Sequence, residues 1–478
     1  MSEYPEIQLY VGGNWVQTNE HLPILNPATE EQIGLLPVAE QSHMDDAVAA
    51  AQDGFKLWSQ TAPMERGRVI LKAAQLMRER QEEIARSITQ ELGKPIRQSR
   101  LEVIRGCEFF EWDAAEGQRL YGRVIPSAPG IRYTVVRQPI GNVAAFSPWN
   151  FPMSQPARKI AGALASGCSV ILKPAEETPA GAVHIVRAFE DAGLPPGVLN
   201  VLFGRPADIS TYLIPNEAIR LVAFTGSTAV GRQLTTLASE HMTPVLMELG
   251  GHAPVIVCDD VDPAKVGITS AIRKMRNSGQ VCTSPTRFFI QEKLYEPFTE
   301  TFVERVMATK MGDGMAEQTE MGPVAHEGRL AALQNFVDDA VKRGGKVLTG
   351  GSREANRGFF FKPTVLSGVP DDALIMREEP FGPIAVLNPI KSLDEGIAKA
   401  NSVPYGLAAY AFTHSAANVD RLVDGVEAGN LSINTLEASL PETPFGGVKS
   451  SGYGREGGDE GLHHYTVVKN VSHSMTIV

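Results

Sequence analysis

A thiol, a carboxylate and an amide stand in surroundings that could equip them for covalent chemistry. Cys282 lies in NSGQVCTSPTR, a polar, glycine-containing segment after a helical run, which places it at a cleft. Cys168 in SGCSVIL and Cys258 in PVIVCDD sit in apolar strand-like runs, and Cys107 in a helical one, where a thiol is inert packing. Glu248 in VLMELGGHAP ends an apolar run, an expensive place for an ionised carboxylate. Burial there would raise its pKa toward the range of a general base; a buried, hydrogen-bonded structural glutamate is the alternative. Asn150 in FSPWNFP follows a strand-like run, and its amide N–H groups suit an oxyanion, although Asn beside Pro also serves as a turn residue. Nucleophile, base and amide donor together fit acyl transfer through a covalent intermediate. No histidine flanks Cys282, which counts against a cysteine hydrolase.

A dinucleotide site would turn that chemistry from hydrolysis to oxidation. In LVAFTGSTAVGRQL a strand turns through Gly226, Ser227 and Thr228 into a helix, whose free N–H groups and positive end suit a pyrophosphate. Gly226 would let the anion approach the backbone, and Gly231 would let the helix pack closely. In SVILKPAEETP, Lys173 and Glu176 fall just past another strand. A carboxylate there accepts both ribose hydroxyls and repels a 2′-phosphate, favouring NAD over NADP; a solvated loop is the alternative. The chain's GxGxxG match, Gly452-Tyr453-Gly454-Arg455-Glu456-Gly457, neither follows a convincing strand nor opens a βαβ unit, and reads as a flexible C-terminal turn.

These groups need a scaffold, and the hydrophobic pattern supplies an α/β one. Residues 43–116 repeat apolar positions at helical spacing. From 142 onward the short runs NVAAFSP, SVILKP, GVLNVLFG, LVAFTG, TPVLMELGG and APVIVCDD alternate with helical stretches, as in a buried, doubly wound parallel sheet. A second α/β series spans about 262–450, with KVGITSAIRKMRNSG and GRLAALQNFVDDAVKRGG as helices and FFIQEK, KVLTGG and IAVLNPI as strands. RLYGRVIPSAPGIRYTVVRQ, at 119–139, reads as two strands around a turn, and the C-terminal HHYTVVKNVSHSMTIV as another strand. Projecting strands with unpaired edges are expected to pair with a second subunit. The net charge of −11, with both signs interspersed, argues against a nucleic-acid surface. Four cysteines without a CxxC pair argue against a disulfide framework or a zinc site and for a reducing, cytoplasmic setting. Neither a signal segment nor a membrane-length apolar run is visible.

The motifs FSPWNFP, KPAEETP, FTGSTAVG, MELGGHAP, GQVC, EEPFGP and PFGGVKSSGYGREGG, in this order along the chain, resemble the aldehyde dehydrogenase superfamily over essentially the whole length. The resemblance implies a Rossmann-type NAD-binding domain from 1–118 and 140–249, a catalytic domain from 250–450, and an oligomerisation arm from 119–139 and 451–478 that makes dimers or tetramers. It implies that Cys282 attacks an aldehyde, that Asn150 and the Cys282 backbone N–H hold the oxyanion, and that Glu248 activates the water that hydrolyses the thioester. Trp149, Lys173, Glu176, Gly226, Ser227, Glu379 and Phe381 match family contacts to NAD, with NADP also used in the family. The retained Glu248 disfavours a CoA-acylating variant. Within the superfamily the chain is similar to succinate-semialdehyde dehydrogenases, whose substrate carboxylate is held at positions matching Arg158, Arg276 and Ser439. Two guanidiniums and a hydroxyl make a charge-assisted clamp, with salt bridging as the alternative for each arginine. Ser284 stands where some members carry a second cysteine, so no disulfide switch is expected there.

Overall fold

The computed structural model describes residues 4–476. The helical stretch resolves into Gln41–Trp58, Pro63–Glu79, Gln81–Leu92 and Ile96–Glu116, broken where Pro63 opens a helix and where Gly93, at φ +74°, closes one. Helices Gln41–Trp58 and Ser154–Ser166 both pack on the strand Ser169–Lys173, all five residues of which are buried. That burial is why the strand reads as a continuous apolar run.

Two large sheets organise the chain. The first has eight strands in the order Asn14–Val16, Leu9–Val11, Leu199–Val201, Ser169–Lys173, Asn142–Phe146, Ile219–Thr225, Val245–Glu248 and Gly452–Tyr453. It is parallel from Leu199–Val201 to Val245–Glu248, and antiparallel strands cover both edges. The second has seven strands: Lys346–Thr349, Thr364–Ser367, Ile384–Ile390, Arg287–Gln291, Pro254–Val257, Ala408–Phe412 and Asn430–Ile433. Only Lys346–Thr349 runs antiparallel to its neighbour. The run APVIVCDD, read with the first series, therefore belongs to the second sheet. The chain passes from one sheet to the other between Glu248 and Pro254, and an apolar run carries no record of which sheet receives it.

Arg123–Ile125, Ile131–Pro139 and Thr466–Ser474 form a separate three-stranded antiparallel sheet. The projecting strands, expected to have unpaired edges, thus first pair with each other, in register from Thr466 opposite Pro139 to Ser474 opposite Ile131. Within 451–478 the segment is not uniform: Gly452–Tyr453 edges the first sheet, Glu460–His463 packs on helix Ser154–Ser166, and Thr466–Ser474 joins the separate sheet. Residues 1–3 and 477–478 of the terminal segments lie outside the described residues. No helix among the described residues is long and apolar enough to cross a membrane.

Candidate active site

Two cavities, of about 920 and 860 Å³, meet at Cys282, which lines both. Arg158, Arg276 and Ser439 line the larger; Trp149, Asn150, Lys173, Glu176, Gly226, Ser227, Glu379 and Phe381 line the other. Among the site residues that the family resemblance implies, only Glu248 lines neither.

Cys282 sits in the irregular segment between helix Pro263–Met275 and strand Arg287–Gln291 and is the one cysteine of the four that is not buried. It opens onto the cavities but is enclosed elsewhere, and burial, with Glu379 and Glu248 adding repulsion, pushes its thiol up to about 12. Tyr410 donates to the Thr283 carbonyl oxygen at 2.8 Å, and buried Lys274 donates to the Ser284 and Thr286 hydroxyls at 3.1 and 3.2 Å, fixing the chain beyond the thiol. Cys107, Cys168 and Cys258 are buried, with burial pushing their thiols up to about 12, 11 and 11. Asn150 is buried, and its Nδ2 donates to the Gln280 carbonyl oxygen at 3.0 Å, which leaves its second N–H for another acceptor.

Glu248, at the end of its strand, has neither carboxylate oxygen hydrogen-bonded. The alternative of a hydrogen-bonded structural glutamate is therefore not what is found. Burial and the negative Glu456 raise its pKa well above the usual carboxylate range. Its Oε1 points to Gly446, where a Cβ would lie 2.7 Å away. Behind it, fully buried Lys159 donates to Glu456 at 2.8 Å. Glu456 belongs to the GxGxxG-like segment, so that segment is a packed wall beside Glu248 rather than a flexible turn. Sequence reading missed the Lys159–Glu456 pair because its members are 297 positions apart and each lies in an unremarkable local context.

Arg158 is buried between the Phe109 and Phe445 rings, 4.0 and 4.8 Å from their centroids, and donates to the Ser439 hydroxyl. Its Nη1 has no partner, and burial lowers its pKa while Glu456, Glu248 and Asp113 oppose that shift. Arg276 lies 5.6 Å from the Phe151 ring centroid, and burial lowers its pKa to about 10. Neither arginine forms an ion pair among the described residues, so the salt-bridge alternative falls; Arg273 instead pairs with Glu437 at 3.2 Å. Two enclosed guanidiniums without counter-ions make a receptor for an anion.

The second cavity lies beyond the carboxyl ends of the first sheet's parallel strands, at the start of helix Thr228–Glu240. Ser227 caps that helix by accepting from the Val230 N–H at 3.4 Å, and the Thr228 and Ala229 amides have no intrahelical carbonyl. The Gly226 N–H donates to the Glu248 carbonyl oxygen at 3.1 Å. A Cβ at Gly226 would collide with the Phe224 ring, and one at Gly231 with Leu249, so both glycines serve close packing. Lys173 is buried and donates to Glu176 at 2.6 Å, so the pair is not a solvated loop. The Ser147 and Thr225 hydroxyls, both buried without a partner, also line the cavity. Half-buried Glu379 faces Gly250, and burial pushes its carboxyl up to about 8. Phe381, at φ +44°, packs edge-on to Trp149 at 5.3 Å, and Arg329 holds the Pro380 carbonyl oxygen next to it. Free amides at a helix start, hydroxyls and carboxylates in one elongated cavity fit a dinucleotide.

The sequence profile of the aldehyde dehydrogenase family matches residues 15–471. A putative 4-(hydroxymethyl)benzenesulfonate dehydrogenase of Comamonas testosteroni is 43% identical over 97% of both chains. A glutarate-semialdehyde dehydrogenase of Pseudomonas putida is 39% identical over 97% of this chain and 96% of its own. The crystal structure of succinate-semialdehyde dehydrogenase from Burkholderia pseudomallei superposes with a TM-score of 0.97 at 37% identity, covering 99% of this chain and 98% of that one. With a thiol set where a cavity lined by two arginines meets an elongated one at a helix start, and with relatives matching along its whole length, the chain belongs to the aldehyde dehydrogenase family of NAD(P)-dependent oxidoreductases.

Proposed function

We propose that this enzyme oxidises an anionic aldehyde, with a short acidic semialdehyde such as succinate semialdehyde preferred, to its carboxylic acid through a thioester on Cys282. The observation that carries the substrate reading is the pair of enclosed guanidiniums, Arg158 and Arg276, with Ser439, in the cavity that ends on the thiol. The relatives named above act, by their names, on molecules carrying a carboxylate or a sulfonate, which accords with an anion receptor.

In the cofactor cavity Lys173 and Glu176 would hold the adenine-side ribose, the start of helix Thr228–Glu240 the pyrophosphate, and Glu379 and Phe381 the nicotinamide end. The free carboxylate oxygen of Glu176 favours NAD over NADP. When bound, the dinucleotide supplies the hydride acceptor. Cys282 loses its proton to water in the cavity, its thiolate sulfur bonds the aldehyde carbon as the carbonyl π bond breaks, and the second Asn150 N–H and the Cys282 backbone N–H hold the resulting oxyanion. Loss of hydride leaves the acyl group on sulfur. Glu248, turned from Gly446 toward the thioester, takes a proton from water; the hydroxide adds, the carbon–sulfur bond breaks, and the acid leaves with the thiolate restored.

Residues 1–118 and 140–249 form the cofactor domain in this reading and 250–450 the catalytic domain. The three-stranded sheet is an oligomerisation arm of a dimer or tetramer in a reducing cytoplasm. The test is kcat/KM for succinate semialdehyde, glutarate semialdehyde and butanal with NAD+ and NADP+. A preference of at least about tenfold for the charged aldehydes supports the clamp. Equal efficiency for charged and uncharged aldehydes of one length removes it.

A further inference from the structure

Three consecutive residues just before the nucleophile have left-handed backbone: Asn277 at φ +48°, Ser278 at +54° and Gly279 at +70°. Only glycine adopts this region freely; Asn tolerates it and Ser does so at a cost. Strain of this kind persists where surrounding contacts over-determine it, and Asn277 has such contacts. Its Nδ2 donates to the Asn150 carbonyl oxygen at 3.0 Å and to the Gln280 carbonyl oxygen at 3.3 Å. Because both neighbours are acceptors, the amide orientation is fixed. The Gln280 carbonyl oxygen is the same atom that accepts from Asn150 Nδ2 at 3.0 Å. One buried side chain thus ties together the backbone carrying the proposed oxyanion donor and the backbone two residues before Cys282.

The surroundings leave this tie little freedom. The Gln280 backbone N–H and Nε2 both donate to the Asn277 carbonyl oxygen, at 3.0 and 3.2 Å, and Gln280 Oε1 accepts from the Ala325 N–H at 2.9 Å. Gln98 Oε1 accepts from the Asn277 N–H at 2.9 Å. On the other side Lys94, paired with Glu102, donates to the Asn150 carbonyl oxygen at 3.0 Å, and Glu102 accepts from the Met153 N–H at 2.9 Å. None of the hydrogen bonds these groups make among the described residues goes to the Cys282 sulfur.

We infer that Asn277 is a positioning residue: it bridges the Asn150 and Gln280 carbonyls and so sets the distance and direction of the Asn150 amide relative to the Cys282 N–H. This rests on the oxyanion role proposed for Asn150. Displacing an oxyanion donor by a fraction of an ångström weakens a bond that matters in the transition state while leaving the thiol and the cofactor cavity intact.

The test compares Asn277→Gly, which accepts positive φ but has no amide, with Asn277→Asp, which keeps shape and φ tolerance but presents a carboxylate to two carbonyls. Both are expected to lose roughly 10- to 100-fold in kcat with the KM for NAD+ unchanged, and iodoacetamide should alkylate Cys282 at the wild-type rate. Asn150→Ala should lose roughly 10²- to 10³-fold, and adding Asn277→Gly to it should cost nothing more, because Asn277 acts through Asn150. Wild-type kcat in Asn277→Gly, additive losses in the double variant, or a proportional fall in alkylation rate overturns the inference. Asn150→Ala with wild-type turnover overturns the oxyanion reading itself, and this inference with it; loss in Asn150→Ala beside a benign Asn277→Gly sinks only the latter.

Discussion

At the scale of single residues, burial favours the protonated forms of Cys282 and Glu248. Burial pushes the Cys282 thiol up to about 12, and burial with Glu456 raises Glu248 well above the usual carboxylate range. A base acts only when deprotonated, so if hydrolysis of the thioester limits turnover, kcat should climb with pH above the range in which an ordinary carboxylate titrates. Glu248→Gln should flatten that climb and lower steady-state turnover by roughly 10²- to 10⁴-fold, while a stopped-flow trace still shows one burst of NADH. Full turnover at every pH in that variant would exclude Glu248 as the base, and Cys282→Ala should show no burst. The clamp makes a separate claim. Among the described residues Arg158 has one guanidinium nitrogen unpartnered and no ion pair, which leaves its charge open to an anion. Arg158→Leu should lose about 2.7–4 kcal/mol, roughly 10²- to 10³-fold in kcat/KM, for succinate semialdehyde and much less for butanal. Equal losses for both substrates would instead mark Arg158 as packing between Phe109 and Phe445.

Elements set those residues in place at their ends. Asn150 follows strand Asn142–Phe146, Lys173 and Glu248 end theirs, and Ser227 caps a helix, all at the carboxyl edge of one parallel sheet. That arrangement was legible in sequence, because a strand of five buried residues followed by polar ones has one plausible place in a parallel α/β sheet. The join between Glu248 and the second sheet was less legible, since nothing in APVIVCDD says which neighbours it hydrogen-bonds. The wall behind Glu248 was illegible: Lys159 and Glu456 acquire meaning only when a helix and the C-terminal segment meet. Backbone geometry before Cys282 is equally silent in sequence, apart from Gly279. That residue closes the left-handed run, and a Cβ there would collide with the Gly382 carbonyl oxygen, which has no flexible end to yield. Gly279→Ala should therefore destabilise by about 2 kcal/mol or more and displace the loop carrying Cys282. Thermal unfolding and Cys282 alkylation measured together test this. Wild-type values of both would mean the backbone relaxes without cost.

For the whole molecule, the three-stranded sheet is the part whose form a lone chain does not explain. It stands apart from both large sheets, and its strands Arg123–Ile125 and Thr466–Ser474 each have one edge unpaired. Val124, Thr134 and Val471 stand directly opposite one another across the three strands and so share a face. Val124 on that face is 69% exposed, and Val467, two pleats from Val471, is also exposed. An exposed apolar face bounded by free edges invites either aggregation or a partner, and a second subunit would supply one. Val124→Lys leaves every backbone hydrogen bond of the sheet available, and lysine on an edge strand is a common block to edge pairing. If this face is the subunit contact, sedimentation velocity should show the variant shifted to a smaller assembly than wild type at the same micromolar concentration. Its two cavities lie in other sheets, so the variant subunit should still form the NADH burst. An unchanged mass across a wide concentration range would show that the contact lies elsewhere and that the arm's exposed valines have another cause.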